Sequence, residues 1–583
     1  MRLILGALLV AATAAAEASA GTAIEYALSP VVDATGLTAL EVQIRLEGEE
    51  DGDTVLNLPG DWGGKTKLYE SIRDLKIAGG DVASQADPAK RVITHRPRAK
   101  LFVSYRVVQN WPGEPHATGA NEYRPIIQKT YFHVLGNAIF ASPEREDQPE
   151  ATFTYKGGPK GWTFASDLEH ASMGRRLVLG DLIESVMVGG DFRILQRGKV
   201  RLALRGKWSF SDQAFLDRLG PIIESHHRFW NDAAEPFLVT AIPLAGEPGN
   251  VSLGGTGRDD AFAFFATDNA DSATLNKLLA HEHLHTWIPR RIGNMPQRDE
   301  ARDYWLSEGF TDFYTARLLL KDKIWTLKEY LDSLNDALRD YAYSPLRSAP
   351  NSKIISDFWT DQDAQKLPYL RGHLFAHLID HMLRQDTEGE RDFDDIMIAM
   401  RERVRALGSA EPPMATSMFA EEMKKAELDI GDLIASHIRD GKPILLPEDT
   451  FVPCGVVETN KIPEFDRGFD PDKTAENGNV IVGLREGSNG YKAGLRNGMK
   501  IVKRESGKTG DSRVPLVYRV LDNGKERVIS FLPEGQRRVT LQELILDEDL
   551  SEKDRKNCVA RLSGMPGWFT SGIWSKLKKW VTF

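Results

Sequence analysis

The hydrophobic positions of the chain change from a two-residue period to a helical period. Near the start, Leu40 to Leu46 alternates apolar and polar side chains throughout, which is typical of a half-buried strand. Glycine and proline interrupt residues 21–190 repeatedly. We therefore predict a β-rich N-terminal domain over 21–190.

The second region, residues 191–447, begins with short apolar runs and continues with helical patterns. We predict strands at Val200–Leu204, Phe237–Ile242 and Ala261–Ala266. Amphipathic helices are predicted over 211–232, 271–288, from about 303, and over 327–341, 369–384, 393–407 and 417–425. Strands followed by helices make this a mainly helical domain in a multidomain α+β protein.

A linker rich in proline and charge is expected at 448–464, then a small β-rich domain at 465–540. In this domain the strand-like Asn479–Leu484 is followed by Gly487-Ser488 and by Ala493-Gly494-Leu495. This order resembles a PDZ domain, which would bind a peptide C-terminus, with Gly468-Phe469 in the loop that holds the carboxylate. The alternative is an unrelated small β-domain.

Both ends of the chain carry further signals. Arg2, an apolar run and Ala18-Ser19-Ala20 have the pattern of a signal peptide over 1–20, so we expect export and a periplasmic or secreted protein. Within the C-terminal tail, 541–583, the residues from Pro566 onward mix five aromatic residues with lysines. Contact with an anionic membrane surface is one interpretation, and docking on the protein's own body is the favoured one.

Composition narrows the class of partner. The 583 residues have a net charge of −10, and no basic stretch stands out, so we expect no nucleic acid partner.

Cys454 and Cys558 are the two cysteines. They either pair in an oxidising compartment or remain two buried thiols.

The strongest chemical signal is the string His281-Glu282-His283-Leu284-His285 on the helix predicted at 271–288. Residues four apart share a helix face, so His281 and His285 are placed to hold one zinc ion per chain. Glu282 is placed to take a proton from a water that zinc activates. The alternative is a solvated helix end whose histidines fall four apart by chance.

A third ligand and its support follow on the next predicted helix. Glu308 comes 23 positions after His285, and a glutamate there would complete a His2Glu site with water in the fourth position. Asp312 lies four residues further on and could accept a hydrogen bond from the outer N–H of a ligating histidine.

For the other histidines, the pattern favours packing or surface positions over metal binding. His283 faces away from the ligand face and is expected to pack or to contact solvent. His226-His227 is expected on the surface. His373, His377 and His381 fall on one helix face, where a polar stripe is favoured over a second metal site.

This order of domains and motifs resembles the glycyl aminopeptidase family, gluzincin zinc peptidases with a C-terminal PDZ domain. The resemblance covers about 21–540 and is strongest over 278–316, where His281, Glu282, His285 and Glu308 match the family's ligand and base positions. It implies a thermolysin-like catalytic domain and a peptide or protein substrate. By resemblance, Tyr369 in a Y-x-x-G segment that opens a helix would donate its hydroxyl to the oxyanion.

One departure concerns the substrate's free amine. The family often has G-G-L-E-H before the zinc helix, whereas this chain has Gly254-Gly255-Thr256-Gly257-Arg258-Asp259-Asp260, without the glutamate. Asp259 or Asp260 could bind the amine instead. The backbone at Gly254 and Gly255 could bind an extended substrate strand.

The sequence thus predicts an exported zinc metallopeptidase with Glu282 as general base. Aminopeptidase and endopeptidase action remain open. Two other classes also remain: a peptide-binding PDZ protein with a relic active site, and a zinc hydrolase of a non-peptide substrate.

Overall fold

The computed structural model describes residues 23–564, apart from 84–86, 119–120, 122, 146–147, 170–175, 247–250, 259, 297 and 409. The predicted signal peptide and the aromatic tail from Pro566 onward lie outside these residues. The described part of the chain forms two units. The first comprises the described residues of Met1–Ser209, Pro236–Gly254 and Arg258–Ala270, and the second those of Phe210–Glu235, Gly255–Gly257 and Asp271–Phe583.

The first unit is built mainly of strands, although the last three residues of the strand Leu253–Gly257 belong to the second unit. They are β1 (Ile24–Asp33), β2 (Gly36–Glu47), β3 (Asp53–Asn57), β4 (Ile72–Ala78), β5 (Asp81–Val82), β6 (Lys90–Thr94), β7 (Lys100–Val107), β8 (Ile126–Gln128), β9 (Tyr131–Leu135), β10 (Ser142–Pro143), β11 (Glu150–Tyr155), β12 (Thr163–Ser166), β13 (Leu177–Val178), β14 (Val186–Gly190), β15 (Arg193–Arg197), β16 (Val200–Leu204), β17 (Phe237–Leu244), β18 (Leu253–Gly257) and β19 (Ala261–Thr267). Two short helices, α1 (Gly136–Ile139) and α2 (Leu179–Ile183), and a 3-10 turn at Leu68–Ser71 connect them.

These strands form four sheets. A six-stranded sheet has the order β13-β11-β1-β2-β7-β4, and two four-stranded sheets have the orders β10-β3-β6-β5 and β12-β14-β9-β8. The fourth sheet has the order β15-β16-β17-β19-β18. The alternation predicted around Leu40 is present in β2, because Leu40, Val42, Ile44 and Leu46 are buried in the core.

The second unit is mainly helical. Its helices are α3 (Asp212–Phe229), α4 (Ser272–Leu284), α5 (Tyr304–Lys321), α6 (Leu327–Tyr343), α7 (Asn351–Asp357), α8 (Gln362–Asp386), α9 (Phe393–Leu407), α10 (Ala415–Lys425), α11 (Gly431–Leu433), α12 (Pro471–Glu476), α13 (Asn489–Lys492) and α14 (Glu552–Ser563), with a 3-10 turn at Glu300–Arg302 and a π-helical turn at Ile434–Arg439. The multidomain α+β class with an N-terminal β-rich part is therefore confirmed. No helix of the described chain is both long and apolar enough to cross a membrane.

Two helix boundaries differ from the sequence prediction. Helix α4 ends at Leu284 rather than near Ile288, so His285 is its C-cap residue. Helix α8 begins at Gln362, seven residues before Tyr369, so the prediction that Tyr369 opens the helix is wrong. The Asp361 carboxylate accepts from the N–H groups of Asp363 and Ala364, and this N-cap starts the helix despite Pro368 inside it.

The domain boundaries predicted from the sequence stay predictions, and two observations bear on them. The strands β16, β17 and β19, which were expected to open the helical domain, cluster with the first unit. The expected linker at 448–464 contains most of a strand, β20 (Gly455–Phe465), which pairs with β24 (Glu534–Leu546).

The small β-rich part has a core of its own, within the second unit. Between β20 and β24 lie β21 (Lys500–Ser506), β22 (Leu516–Asp522) and β23 (Lys525–Phe531), which form a three-stranded sheet. Phe469 is buried in this core. The Gly468 N–H donates to Asp466 Oδ1 at 2.8 Å. That N–H is therefore engaged within the loop where carboxylate binding was expected.

A disulfide and buried ion pairs join α14 to the helical core. Cys454 and Cys558 are bonded, with Cα atoms 4.7 Å apart. Arg561 of α14 forms an ion pair with Asp380 of α8. Arg384 Nε also lies 3.1 Å from Asp380 Oδ2. Arg317 of α5 lies 3.7 Å from the same carboxylate, which is 3% exposed. The residues of α14 thus pack on the helical core.

We expect Asp380→Ala to lower the free energy of unfolding by about 3–5 kcal/mol, because it leaves the buried guanidinium of Arg561 without its carboxylate partner. Lys328→Ala removes an ion pair whose side chains are 82% and 61% exposed, and should change stability by less than about 1 kcal/mol. Urea unfolding measures both. A loss for Asp380→Ala as small as that of the control would contradict the role given to this network.

Candidate metal centre

Helices α4 and α5 bring three ligand atoms together. His281 lies in the last turn of α4, His285 caps the helix, and Glu308 lies in the second turn of α5. Glu308 Oε2 lies 3.2 Å from His281 Nε2 and 3.3 Å from His285 Nε2. In the described part of the chain, this is the one group of three or more His, Cys, Asp or Glu residues found close enough to hold a metal ion.

The other ring nitrogen of each histidine is held by a hydrogen-bond acceptor. His281 Nδ1 lies 2.9 Å from Asp312 Oδ1, and His285 Nδ1 lies 2.8 Å from the Ile288 carbonyl oxygen. Because an ionised carboxylate and a carbonyl only accept, each Nδ1–H donates. Each ring is thereby oriented with its Nε2 atom towards the Glu308 carboxylate, which is the orientation that a metal ligand needs.

The charges of the cluster are strongly coupled. Burial disfavours the charged form of His281, but hydrogen bonds with Asp312 and Glu308 outweigh burial and raise its pKa. Burial also opposes charge on Glu308, yet His285 and His281 hold its pKa well below the usual range. The buried cluster therefore contains carboxylate charge that requires a cationic partner, either imidazolium or a metal ion.

Glu282 lies beside this cluster without joining the ligand group. Burial raises its pKa, and the electrostatic influence of His285 and His281 opposes that rise. The Gly257 N–H hydrogen-bonds to its carboxylate, and a Cβ atom added to Gly257 would lie 3.4 Å from Glu282 Oε2. The sequence alone does not predict this backbone contact, because the contact depends on how Gly257, at the end of β18, lies against α4.

Tyr369 of α8 covers the cluster from another side. Its ring stacks on His281, with centroids 5.9 Å apart and planes 20° apart. It also shares a hydrogen bond with Glu308, and burial together with the nearby carboxylates raises its pKa. The structure thus brings Tyr369 to the ligands as the resemblance implied, while its chemical role stays a prediction.

The four residues proposed for substrate binding are not all placed. Gly254 and Asp260 belong to the first unit, and Asp259 lies outside the described residues. Gly255 belongs to the second unit, which also contains the ligand cluster. Their roles in binding a substrate strand or its amine stay predictions.

A buried histidine layer supports the opposite face of α4. His283 Nδ1 lies 2.9 Å from His226 Nδ1 of α3, and the His283 ring meets Trp287 edge-on at 5.4 Å. His226 and His227 are only 1% and 6% exposed, so the expectation of a surface position was wrong. The apolar stripe of α3 through Phe215, Leu219 and Ile222 continues to His226 and could have revealed it.

The histidines of α8 form a buried pair. His373 Nε2 lies 3.1 Å from His377 Nε2, and burial lowers the pKa of His373 to about 4. His381 Nε2 lies 3.5 Å from Asp449 Oδ1. In the described residues these histidines do not form a three-ligand group, and the polar-stripe interpretation stays a prediction.

Comparisons with known proteins address the fold and the family. The model of the M61 glycyl aminopeptidase family matches residues 274–365, which include His281, Glu282, His285, Glu308 and Asp312 but not Tyr369. The structure of an aminopeptidase N family protein from Idiomarina loihiensis is similar, with a TM-score of 0.65 at 16% identity, covering 94% of this chain and 100% of that chain. This likeness establishes the fold.

A structure of native yeast LTA4 hydrolase matches with a TM-score of 0.45 at 14% identity, covering 73% of this chain and 69% of that chain. No curated protein matches the chain. The PDZ-like interpretation of the small β-rich part stays a prediction. The segment that carries the ligand cluster matches the M61 glycyl aminopeptidase family, which confirms the resemblance predicted from the sequence and supports a metallopeptidase.

Proposed function

We propose that the protein is a zinc-dependent metallopeptidase that hydrolyses peptide bonds, with one ion per chain. The observation that carries the proposal is the convergence of two imidazole nitrogens and one carboxylate oxygen, with a second carboxylate alongside. The family match over 274–365 supports it. The substrate we propose is a peptide or protein.

The donor set fits zinc. Two histidines and a glutamate with an open fourth position form a common catalytic zinc site. Ligand atoms bound tetrahedrally at about 2.0–2.1 Å lie roughly 3.3 Å apart, and Glu308 Oε2 lies 3.2 and 3.3 Å from the two Nε2 atoms. When bound, zinc lowers the pKa of water towards about 7 and polarises a carbonyl group.

The residues of this chain perform the remaining steps. Glu282 accepts a proton from the attacking water and delivers it to the leaving amine, while the Gly257 N–H holds its carboxylate. The Tyr369 hydroxyl donates a hydrogen bond to the carbonyl oxygen as negative charge develops on that oxygen. Asp312 orients the His281 ring.

We further propose that the protein acts outside the cytoplasm. The signal-like sequence at 1–20 supports export. The Cys454–Cys558 bond suits an oxidising compartment. N-terminal sequencing of protein recovered from the periplasm or medium would test this, and an intact Met1 on that protein would contradict it.

Glu282→Gln should keep wild-type zinc content and lose activity by about 10²–10⁴-fold, because the amide cannot accept the proton. Cleavage of a diverse peptide mixture, followed by mass spectrometry, measures this and also separates N-terminal trimming from internal cuts. Glu224→Gln, an exposed change on α3, is the control. Full activity in Glu282→Gln would contradict the proposed mechanism.

Tyr369→Phe should lower kcat by about 10²–10³-fold with little change in KM, since a donor that acts only in the transition state is lost. Tyr491→Phe, in the small β-rich part, is the matched control. Steady-state kinetics on one peptide found in the digest measure both. An unchanged kcat would assign Tyr369 to packing alone.

Asp312→Asn should weaken zinc binding by about 10–100-fold, because the ring of His281 loses its charged acceptor. Competition with a chelating dye measures the affinity. Asp332→Asn, whose side chain is 61% exposed, should bind zinc as the wild type does. Equal affinities in the two variants would show that Asp312 does not support the ligand.

A further inference from the structure

Helices α5 and α8 touch through two glycines. A Cβ atom added to Gly309 of α5 would lie 2.3 Å from the Cα atom of Gly372 of α8. A Cβ atom added to Gly372 would lie 1.8 Å from the Trp305 carbonyl oxygen and 2.8 Å from the Gly309 Cα atom. The two backbones are therefore in direct contact, closer than any side chain allows.

Glycine is unexpected at these positions on local grounds. Both residues lie inside helices, away from the caps, where glycine is the least favourable residue after proline. Neither has a positive φ that would require glycine. The close approach of the two helices is the remaining physical reason for these residues.

Functional side chains lie on both sides of this contact. Glu308 precedes Gly309, and Tyr369, whose ring stacks on His281, lies one turn before Gly372. On the other side, Asp312 lies one turn after Gly309 on α5, and His373 follows Gly372 on α8. The contact therefore lies between the positions of Glu308 and Tyr369 and those of Asp312 and His373.

We propose that Gly309 and Gly372 are positioning residues that set the distance between the Tyr369 hydroxyl and the metal-ligand cluster. The proposal rests on the proposed function, since it gives Tyr369 a role in the transition state. The α4–α5 contact holds the ligands, and the α5–α8 contact holds the hydroxyl against them. We expect a change at either glycine to alter the second contact more than the first, because the atoms that an added Cβ atom would meet belong to α5 and α8.

The distances predict the size of the effect. Cβ atoms do not approach other atoms closer than 3.0 Å, so Gly372→Ala must move α8 relative to α5 by roughly 1 Å. A misplacement of about 1 Å costs about 10²-fold in rate. The Cβ atom of Gly309→Ala would be about 0.7 Å too close to its neighbour. This variant should lose less kcat, because small shifts of the two helices can relieve part of the overlap.

The experiment is a double-mutant cycle on the full chain loaded with zinc. Gly372→Ala, Gly309→Ala, Tyr369→Phe and the two glycine–tyrosine double variants are compared for kcat, KM, zinc affinity and Tm. Leu383→Ala is the control for stability, because Leu383 is fully buried on α8 three turns beyond the contact. It should lower Tm without a comparable loss of kcat.

The expected result has three parts. Gly372→Ala lowers kcat by about 10²-fold with KM and zinc affinity within about 3-fold of wild type. Gly309→Ala has the same pattern and a smaller loss. In the Tyr369→Phe background, both glycine changes cause little further loss of kcat, because the hydroxyl that they displace is already absent.

Other results would overturn the proposal. A full further loss of kcat in the double variants, or a fall in zinc affinity that accounts for the lost rate, would show that the glycines do not act through Tyr369. Failure of both single variants to fold would assign the contact to folding alone. A wild-type protein without Glu282-dependent cleavage would instead reject the proposed function, whatever the glycine variants do.

Discussion

The hydrogen bonds of His281 are the interaction on which the site depends. This one side chain meets Asp312 through Nδ1 and Glu308 through Nε2, and so joins α4 to α5. Burial of two carboxylates is very unfavourable unless cationic or hydrogen-bonding partners face them. The position of α5 against α4 is therefore fixed by these hydrogen bonds as well as by packing. If Glu308 moved away from the histidines, its buried carboxylate would lose its cationic partners.

The surroundings of α4 and α5 keep this arrangement rigid. Beneath α4, the layer of His226, His283 and Trp287 fills the side of the helix that faces away from the ligands. On α5, the glycine contact with α8 brings Tyr369 over His281. Further along, the buried Asp380 network joins α8, α5 and α14, and the disulfide links α14 to the segment just before β20. A catalytic constellation of this kind requires support from rigid elements, because small displacements are costly.

Local pattern was sufficient to predict much of the fold and the centre of the site. The alternation through Leu40 predicted β2, and the i, i+4 spacing of His281 and His285 predicted one shared face, because both depend only on the period of the element. Asp312 was foreseen for the same reason. The prediction of Glu308 as the third metal ligand required both its spacing from His285 and its place on the next predicted helix.

The remaining features depend on contacts between distant segments. The end of α4 at Leu284 and the N-cap of α8 at Asp361 depend on competing local hydrogen bonds that the hydrophobic period does not report. The Gly309–Gly372 contact and the Gly257–Glu282 hydrogen bond depend on which backbones meet. The strand Gly455–Phe465 was predicted to be part of a linker because the segment is rich in proline and charge, and only its pairing with Glu534–Leu546 defines it as a strand.

The most direct test of the central claim is a crystal structure of the zinc-loaded protein with anomalous data at the zinc edge. The account predicts one strong peak per chain, about 2.0–2.1 Å from the Nε2 atoms of His281 and His285 and near the Glu308 carboxylate. A peak elsewhere, for example at the His373–His377 pair, or an empty site in protein that retains zinc in solution, would contradict it.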